Sequence, residues 1–371
     1  MKNSKHIVIA GGKTGGHLFP GIAVAQALME KAPDTKILFV GTNAPFEVNT
    51  LSRYGFAHKT ILSRPIKGGS LVSKAWSAAL VFISLIQAMW ILFRFRADFI
   101  MGVGGFSSFA LVLAGRLLFR QTAIQEQNAI PGMTNRLLSK IAHTIFISFE
   151  QTKGLPINEK TILVGNPVRR SENRKTEDDT KTILEQVNEK DFLILVTGGS
   201  QGAVSINTAF TKAVELIEDK DNLFIVHQSG KLSETEVKAF YDAQNIKCAA
   251  QAFFHDMPAI QDRAELVISR AGAGTLSELC IKGKPAILIP FPYAADDHQT
   301  ANAKNLADKG AALMVADKDL TGEKLFELIQ DLRTNPEKLE NMGKAAASLA
   351  MPHGADRIAG HILGPIAKGE I

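Results

Sequence analysis

The chain has 371 residues, of which 46% are hydrophobic and 21% charged, so it can bury a large apolar core and favours two domains over one. Its two cysteines, Cys248 and Cys280, lie far apart without a CxxC spacing. This argues against a disulfide framework or a structural zinc site and favours a reducing cytosol. The first residues lack the long apolar run of a secretory signal, so we expect the protein to stay where it is made.

The net charge of +5 is unevenly distributed along the chain. Residues 1–165 carry 18 Lys and Arg against 7 Asp and Glu, whereas the remainder carries 24 against 30. A basic first half indicates an anionic partner, either a membrane surface or nucleic acid, unless the lysines are only scattered and solvated. Aromatic residues make up 7% of the chain and lie mostly in apolar runs, which argues against nucleic acid.

Short apolar runs alternate with amphipathic segments along the chain, a pattern typical of βαβ units. The runs predicted as buried strands are residues 7–10, 37–40, 99–102, 122–124, 144–147, 192–197, 223–227, 266–269, 286–289 and 311–315. A turn-rich sequence at 164–167 and a polar stretch at 171–180 interrupt the pattern once. The sequence therefore predicts two Rossmann-like, doubly wound parallel-sheet α/β domains, residues 1–165 and 166–351. A final helix over about 352–368 is expected to pack back onto the first domain.

Three predicted strands run into glycine-rich loops that precede helices, namely residues 11–17 (GGKTGGH), 198–203 (GGSQGA) and 270–275 (RAGAGT). Glycines bring backbone amides close to a ligand, and a helix N-terminus attracts phosphate, although any one loop could be a tight turn that binds nothing. After the first loop, Pro20 predicts the start of a helix that runs to about Lys31. The spacing excludes a P-loop, because Lys13 and Thr14 would require a glycine at Ile7.

Six sequence blocks occur in a fixed order, comprising residues 11–21, 126–128, 164–169, 198–203, 270–278 and 290–302. Together they resemble the MurG family of N-acetylglucosaminyltransferases over nearly the whole chain. The resemblance implies a GT-B fold, in which two such domains face a cleft, with neither a metal nor a cofactor. It also implies an inverting transfer of N-acetylglucosamine from UDP-GlcNAc to the MurNAc 4-hydroxyl of undecaprenyl-pyrophosphoryl-MurNAc-pentapeptide. Lys13 departs from the family's loop, GGTGGH, as an extra residue.

The transfer requires a base for the acceptor hydroxyl and groups that bind the donor. His17 is the candidate base, because imidazole accepts protons near neutral pH, unless it only positions phosphate. Glu126 is the alternative base, unless it orients the loop that contains Asn128. One carboxylate can bind both ribose hydroxyls, which is the role expected of Glu278, and Gln299 resembles the family's reader of sugar hydroxyls. The other positions that match the family's substrate-binding residues are Thr14, Gly15, Gly16, Asn128, Arg169, Ser200, Phe254, Ala273, Gly274, Thr275, Leu276 and Ser277.

Residues 75–93 form an uncharged run flanked by basic residues, and by hydropathy alone this run could span a membrane. It lies, however, where a crossover helix must join the early strands to residues 99–102. We therefore expect one helix face to pack on the sheet and the other to lie in the lipid interface, unless the helix is wholly buried. The expected lipid-facing side chains are drawn from Trp76, Leu80, Phe82, Ile83 and Trp90. The basic flanks predict a peripheral protein that binds an anionic membrane surface at the cytoplasmic face. The resemblance implies that a cell-wall synthesis complex is a partner there.

Proteins of other classes are built from similar domains. An NAD-dependent oxidoreductase is disfavoured, because the first loop does not give GxGxxG and no acidic residue ends the second strand. A UDP-GlcNAc epimerase or another lipid glycosyltransferase of the same fold, and a non-catalytic binding module, stay open as alternatives.

Overall fold

The computed structural model describes residues 5–12, 14–62, 71–168 and 180–364, with the main chain alone described over 71–79. The chain divides into two compact units. The first domain comprises Met1–Arg169 and Pro352–Ile371, and the second domain comprises Arg170–Met351. The chain thus returns to its first domain at the end.

The first domain is built on a parallel sheet, which has seven strands within the described residues, in the order β3-β2-β1-β4-β5-β6-β7. The strands are β1 (His6–Ala10), β2 (Lys36–Gly41), β3 (Ala57–Thr60), β4 (Phe99–Gly102), β5 (Gln121–Glu126), β6 (Thr144–Ile147) and β7 (Thr161–Leu163). The helices are α1 (Gly15–Lys31), α2 (Pro45–Arg53), α3 (Leu71–Phe95), α4 (Phe106–Leu117), α5 (Met133–Leu138) and, after the second domain, α14 (Gly354–Leu363).

The second domain repeats this plan, with six parallel strands among the described residues, in the order β10-β9-β8-β11-β12-β13. These strands are β8 (Phe192–Thr197), β9 (Leu223–Gln228), β10 (Cys248–Gln251), β11 (Leu266–Ser269), β12 (Ala286–Leu288) and β13 (Leu313–Met314). Its helices are α6 (Thr180–Glu185), α7 (Val204–Leu216), α8 (Glu234–Gln244), α9 (Met257–Arg263), α10 (Ala273–Lys282), α11 (His298–Ala307), α12 (Gly322–Thr334) and α13 (Pro336–Ser348). The predicted fold class of two parallel-sheet α/β domains is confirmed.

Apolar side chains from both faces of the first sheet are buried against helices. On one face α3, α4 and α5 contribute Ala88, Leu111 and Leu138 to a continuous cluster. On the other face α1 and α14 contribute residues such as Ile22 and Ile358, both 0% exposed. Helix α14 is held there through its last carbonyls, since the Lys5 ammonium donates to the carbonyls of Ile362 and Leu363 at 2.8 and 2.9 Å. Covering both faces is what a parallel sheet of apolar strands requires.

Helix α1 begins at Gly15, so the prediction that it begins at Pro20 is wrong. Thr14 is extended, with φ −124° and ψ 158°, and its carbonyl accepts from the amides of His17 and Leu18 at 3.1 and 3.0 Å. The first amides of a helix need no intrahelical acceptor, and Pro20, which comes soon after them, removes only the bond to the Gly16 carbonyl. The helix can therefore start earlier and continue through the proline.

Helix α3 is the crossover helix expected for residues 75–93, and it is partly exposed. Ala88, Ile91 and Leu92 are buried in the sheet cluster, whereas Phe82 is 64% and Trp90 60% exposed. The alternative of a wholly buried helix is therefore wrong. No helix within the described residues has the length and apolar character needed to cross a membrane.

Candidate active site

The first glycine loop joins β1 to α1 and packs against the loop that follows β4. Gly11 has φ +118°, and a Cβ added there would overlap the Gly104 carbonyl oxygen. Any L-residue at Gly11 would therefore be strained and would push the two loops apart. Because β1 and β4 are adjacent and their connections run in opposite directions along the sheet, these loops flank its topological switch point, where ligands bind in open α/β sheets.

The amino end of α1 is open to solvent at this point. Thr14 and Gly16 are exposed, and Gly15 is half-buried. Thr14 precedes the helix without a side-chain cap. The amides of Gly15 and Gly16 are the first two of the helix. At this end the N–H groups lack intrahelical acceptors and the helix dipole is positive. These groups can bind a phosphate.

His17 lies in the first turn of α1, half-buried beside the β4 loop. Its Nδ1 is 3.4 Å from the Thr14 hydroxyl. Its ring lies over Gly104, because a Cβ added at that glycine would come within 2.8 Å of the imidazole Cδ2 and 2.9 Å of Nε2. The glycine therefore makes room for the imidazole at the sheet edge where the helix presents its amides.

The Glu126 carboxylate at the end of β5 is 2% exposed and bonds to the loop that follows. It accepts from the Asn128 amide and side chain at 2.9 and 3.2 Å, from the Gly132 amide at 3.3 Å and from the Asn135 side chain at 2.8 Å. Burial raises the pKa of the Glu126 carboxyl above its usual value, against the lowering effect of these bonds. The geometry favours a carboxylate that orders the Asn128 loop over one that receives a substrate proton.

In the second domain, the second glycine loop joins β8 to α7. Ser200 is exposed at its tip, and Gly202 has φ +76°, where an added Cβ would overlap the carbonyl oxygen of Ser229. Phe254, which comes after β10, has its side chain 1% exposed in the domain interior. Only the main chain of Phe254 can therefore contact a ligand.

The third glycine loop joins β11 to α10, and with the second loop it flanks the switch point between β8 and β11. Gly272 precedes the helix without a side-chain cap, and its carbonyl accepts from the Leu276 amide at 3.0 Å. The amides of Ala273, Gly274 and Thr275 thus form the open first turn. Leu276 is 1% exposed, so its side chain belongs to the core, whereas Ser277 is half-buried.

Glu278 and Gln299 lie beside this turn. The half-buried Glu278 carboxylate accepts from the side-chain NH₂ group of Gln261 at 3.1 Å through one oxygen. The Gln299 side-chain oxygen accepts from the amides of Ala271 and Phe291 at 3.1 and 3.0 Å. Gln299 therefore fixes the third loop against the segment after β12, and its NH₂ group is the part available to donate to a sugar.

Arg270 is a residue of this region that we did not single out from the sequence. Its guanidinium donates to the carbonyls of Ile289 and Pro290 at 3.2 and 3.1 Å, to the Asp317 carboxylate at 2.5 Å and to the Ser205 hydroxyl at 2.9 Å. It thereby joins the start of the third loop to α7 and to the segment after β12. A basic residue directly before a glycine loop was the only sequence signal for it.

The structure collects the sequence-predicted residues at the carboxyl edges of the two sheets. Thr14, Gly15, Gly16, His17, Glu126 and Asn128 lie in the first domain, whereas Ser200, residues 273–278 and Gln299 lie in the second. Arg169, Lys13 and the side chain of Trp76 lie outside the described residues. In the described part of the chain, no three His, Cys, Asp or Glu side chains are grouped so that they could hold a metal ion.

Comparison with known proteins assigns both domains to one family. Residues 7–147 match the glycosyltransferase family 28 N-terminal domain, and residues 193–358 match the glycosyltransferase family 28 C-terminal domain. Proteins from Myxococcus xanthus and Syntrophus aciditrophicus are 40% and 41% identical, each over 95% of this chain and over 91% and 96% of their own lengths. Both are named UDP-N-acetylglucosamine–N-acetylmuramyl-(pentapeptide) pyrophosphoryl-undecaprenol N-acetylglucosamine transferase. The chain belongs to the MurG family of glycosyltransferases.

Solved structures agree with this family. MurG from Acinetobacter baumannii superimposes with a TM-score of 0.76 at 29% identity, over 96% of this chain and 98% of that one. A putative UDP-N-acetylglucosamine 2-epimerase from Listeria monocytogenes superimposes with a TM-score of 0.66 at 17% identity, over 96% of this chain and 95% of that one, which shows a shared fold alone. The MurG resemblance inferred from the six sequence blocks is confirmed.

Proposed function

We propose that this enzyme transfers N-acetylglucosamine from UDP-GlcNAc to the MurNAc 4-hydroxyl of undecaprenyl-pyrophosphoryl-MurNAc-pentapeptide, with inversion at the sugar carbon. The observation that carries the proposal is the near-full-length similarity to relatives whose name states a transfer to this kind of acceptor. The two switch points, each flanked by glycine loops, support it, because the reaction needs two sites for phosphate-bearing substrates.

The donor binds the second domain in this proposal. The amides of Ala273, Gly274 and Thr275 hold the diphosphate, with the dipole of α10 favouring its charge. Glu278 accepts bonds from the ribose hydroxyls, since one of its oxygens is already fixed by Gln261. The NH₂ group of Gln299 donates to the GlcNAc hydroxyls, while Ser200 and the backbone of Phe254 contact the UDP moiety.

The acceptor binds the first domain in this proposal, with Thr14 and the amides of Gly15 and Gly16 at its diphosphate. In this scheme His17 carries its proton on Nδ1, which faces the Thr14 hydroxyl, and Nε2 is the basic atom. Nε2 takes the proton of the MurNAc 4-hydroxyl, whose oxygen attacks C1 of GlcNAc. The bond from C1 to the diphosphate oxygen breaks, and its electron pair leaves with UDP, where the α10 amides stabilise the charge.

Glu126 acts as a positioning residue in this scheme. Its four bonds order the loop that carries Asn128, which is one of the proposed substrate-binding residues. The Glu126 carboxylate is 2% exposed and both of its oxygens are engaged by these bonds, so a substrate hydroxyl could reach it only by displacing at least one of them. His17 is therefore our choice for the base.

The test is UDP release by the purified protein given UDP-GlcNAc and a water-soluble analogue of the lipid-linked acceptor. We expect release only when both substrates are present, together with an acceptor product that is heavier by one N-acetylhexosamine. Conversion of UDP-GlcNAc without acceptor, with inversion at C2 of the sugar, would support an epimerase instead. Hydrolysis that acceptor does not accelerate would contradict the transfer.

We further propose that α3 attaches the enzyme to the cytoplasmic face of the membrane as a peripheral protein. Five large apolar side chains form one exposed stripe on this helix, and they are Phe82, Ile83, Ile86, Trp90 and Phe93. Arg94, in the last turn of the helix, and Arg96, directly after it, are both exposed. The Lys59 ammonium lies 5.4 Å from the centre of the Trp90 ring. Apolar burial in the interface and attraction to anionic headgroups would then act together.

A further inference from the structure

Strand β9 ends in a buried polar residue, Gln228, that the scheme above does not use. Its side chain is 3% exposed and lies at the edge of the second sheet between β8 and β10. Burying a side-chain amide costs free energy unless its donors and acceptor form hydrogen bonds. The partners of Gln228 therefore show which segments it connects.

The partners of Gln228 belong to two separate segments of the proposed donor site. Its Nε2 donates to the carbonyl of Gly199 at 2.9 Å and to the Thr197 hydroxyl at 3.2 Å. Its Oε1 accepts from the main-chain amide of Phe254 at 3.0 Å. The orientation of the amide is fixed by chemistry, since a carbonyl oxygen can only accept and a main-chain N–H can only donate.

The second glycine loop is also supported from its other side, and this support does not involve Gln228. Gly202 packs so closely on the Ser229 carbonyl that an added Cβ would overlap its oxygen, and the Asn207 side chain donates to that same carbonyl at 2.9 Å. Asn207 is in turn held by the His227 ring at 3.0 Å. Removing the Gln228 amide should therefore free the Gly199 end of the loop while leaving the Gly202 end fixed.

We propose that Gln228 is a positioning residue that sets the spacing between the two segments that contact the UDP moiety, namely the second glycine loop and the segment that carries Phe254. This inference rests on the donor site of the proposed function. One rigid amide fixes both segments before the nucleotide arrives, so the nucleoside diphosphate binds without having to order them. The expected ligand class is a uridine nucleotide that spans both segments.

The substitution Gln228→Glu tests this, because the new carboxyl group can imitate the amide only when it carries a proton. Protonated, it can donate to Gly199 and still accept from Phe254. Ionised, it cannot donate to Gly199 and repels that carbonyl oxygen, while burial raises its pKa toward the accessible range. We expect the Kd for UDP, measured by calorimetry, to exceed that of the wild type about tenfold or more at pH 8 and to approach it at pH 5.5.

The matched control is Gln251→Glu. Gln251 is the register partner of Gln228 on the neighbouring strand β10, so the control adds the same charge to the same sheet edge. Its side chain makes no hydrogen bond in the part of the chain that the structure describes. We expect its ratio of Kd to that of the wild type to stay near unity at both pH values.

Three outcomes would overturn the positioning role. They are unchanged UDP affinity of folded Gln228→Glu at pH 8, a loss that does not recover at low pH, and an equal loss in the Gln251→Glu control. Should Gln228→Glu fail to fold, the uncharged Gln228→Asn, which is too short to reach both segments, must weaken UDP binding at every pH in a protein that melts like the wild type. Failure of the wild-type protein to bind UDP would instead refute the proposed donor site itself.

Discussion

The buried His227 makes the stability of the second domain depend on pH in a calculable way. Its imidazole lies 2.8 Å from the Tyr241 hydroxyl and 3.0 Å from the Asn207 side-chain oxygen, and burial lowers its pKa from 6.5 to about 3. Because the Asn207 NH₂ group donates to Ser229, its oxygen faces the ring and can only accept. Nε2 therefore carries the proton, and Nδ1 accepts from Tyr241.

The sign of the effect follows from which state binds the extra proton. Above about pH 6.5 the imidazole is neutral in both the folded and unfolded chains, so its contribution to stability is fully present. As the pH falls, the unfolded chain is protonated while the folded chain stays neutral down to about pH 3, and the free energy of unfolding decreases. At pH 5 the solution is about 1.5 pH units below the pKa of 6.5 in the unfolded chain, so the free energy of unfolding is lower by about 2 kcal/mol.

Urea unfolding followed by circular dichroism at pH 7.5 and pH 5 measures this loss. The comparison is His227→Gln, whose side chain can still donate and accept but does not titrate. We expect the wild type to lose about 2 kcal/mol more than the variant between the two pH values, whatever their stabilities at pH 7.5. Equal losses in both proteins would refute the assignment of a neutral, buried imidazole.

Three further predictions concern the site and the membrane surface. His17→Ala should lower turnover with acceptor about a hundredfold or more and leave UDP-GlcNAc affinity nearly intact, because it removes only the base; near-normal turnover in steady-state kinetics would move that role elsewhere. Glu278→Ala should weaken UDP-GlcNAc binding in calorimetry by about 1 to 3 kcal/mol through loss of charge-assisted bonds, and unchanged affinity in a folded variant would contradict the ribose assignment. Replacing Phe82 and Trp90 by serine should reduce flotation with anionic vesicles without lowering the melting temperature, whereas the control Leu92→Ser, 2% exposed in the wild type, should destabilise the fold. Unchanged flotation of the double variant would argue against α3 as the attachment surface.

The central strands could be predicted from the sequence because they are buried on both faces and read as continuous apolar runs. The strands that the pattern missed, Ala57–Thr60, Thr161–Leu163 and Cys248–Gln251, are all at sheet edges. An edge strand is exposed on one side and needs fewer apolar residues, as the sequence Ala-His-Lys-Thr of β3 illustrates. Hydrophobic periodicity therefore detects the centre of such a sheet better than its borders.

The candidate site divides in a similar way. Glycine loops and the residues next to them, such as His17 and Glu278, have local signatures that follow from their position between a strand and a helix. Arg270 has only its position before a glycine loop and Gln228 has no local signature, because each acts by joining segments that are distant in sequence and adjacent only after folding. Glu126 carried a strong sequence signal, yet the sequence could not distinguish a base from a loop-ordering carboxylate without the four bonds that the structure reveals.

Helix α14 determines when the first domain can complete its folding. Its Ile358, Ala359 and Ile362 complete the apolar layer over the first sheet, and Lys5 near the other end of the chain binds its final carbonyls. A ribosome releases these residues only after the whole second domain has been translated. The first domain therefore begins first but completes the apolar layer on the α1 face of its sheet only after the second domain has been translated.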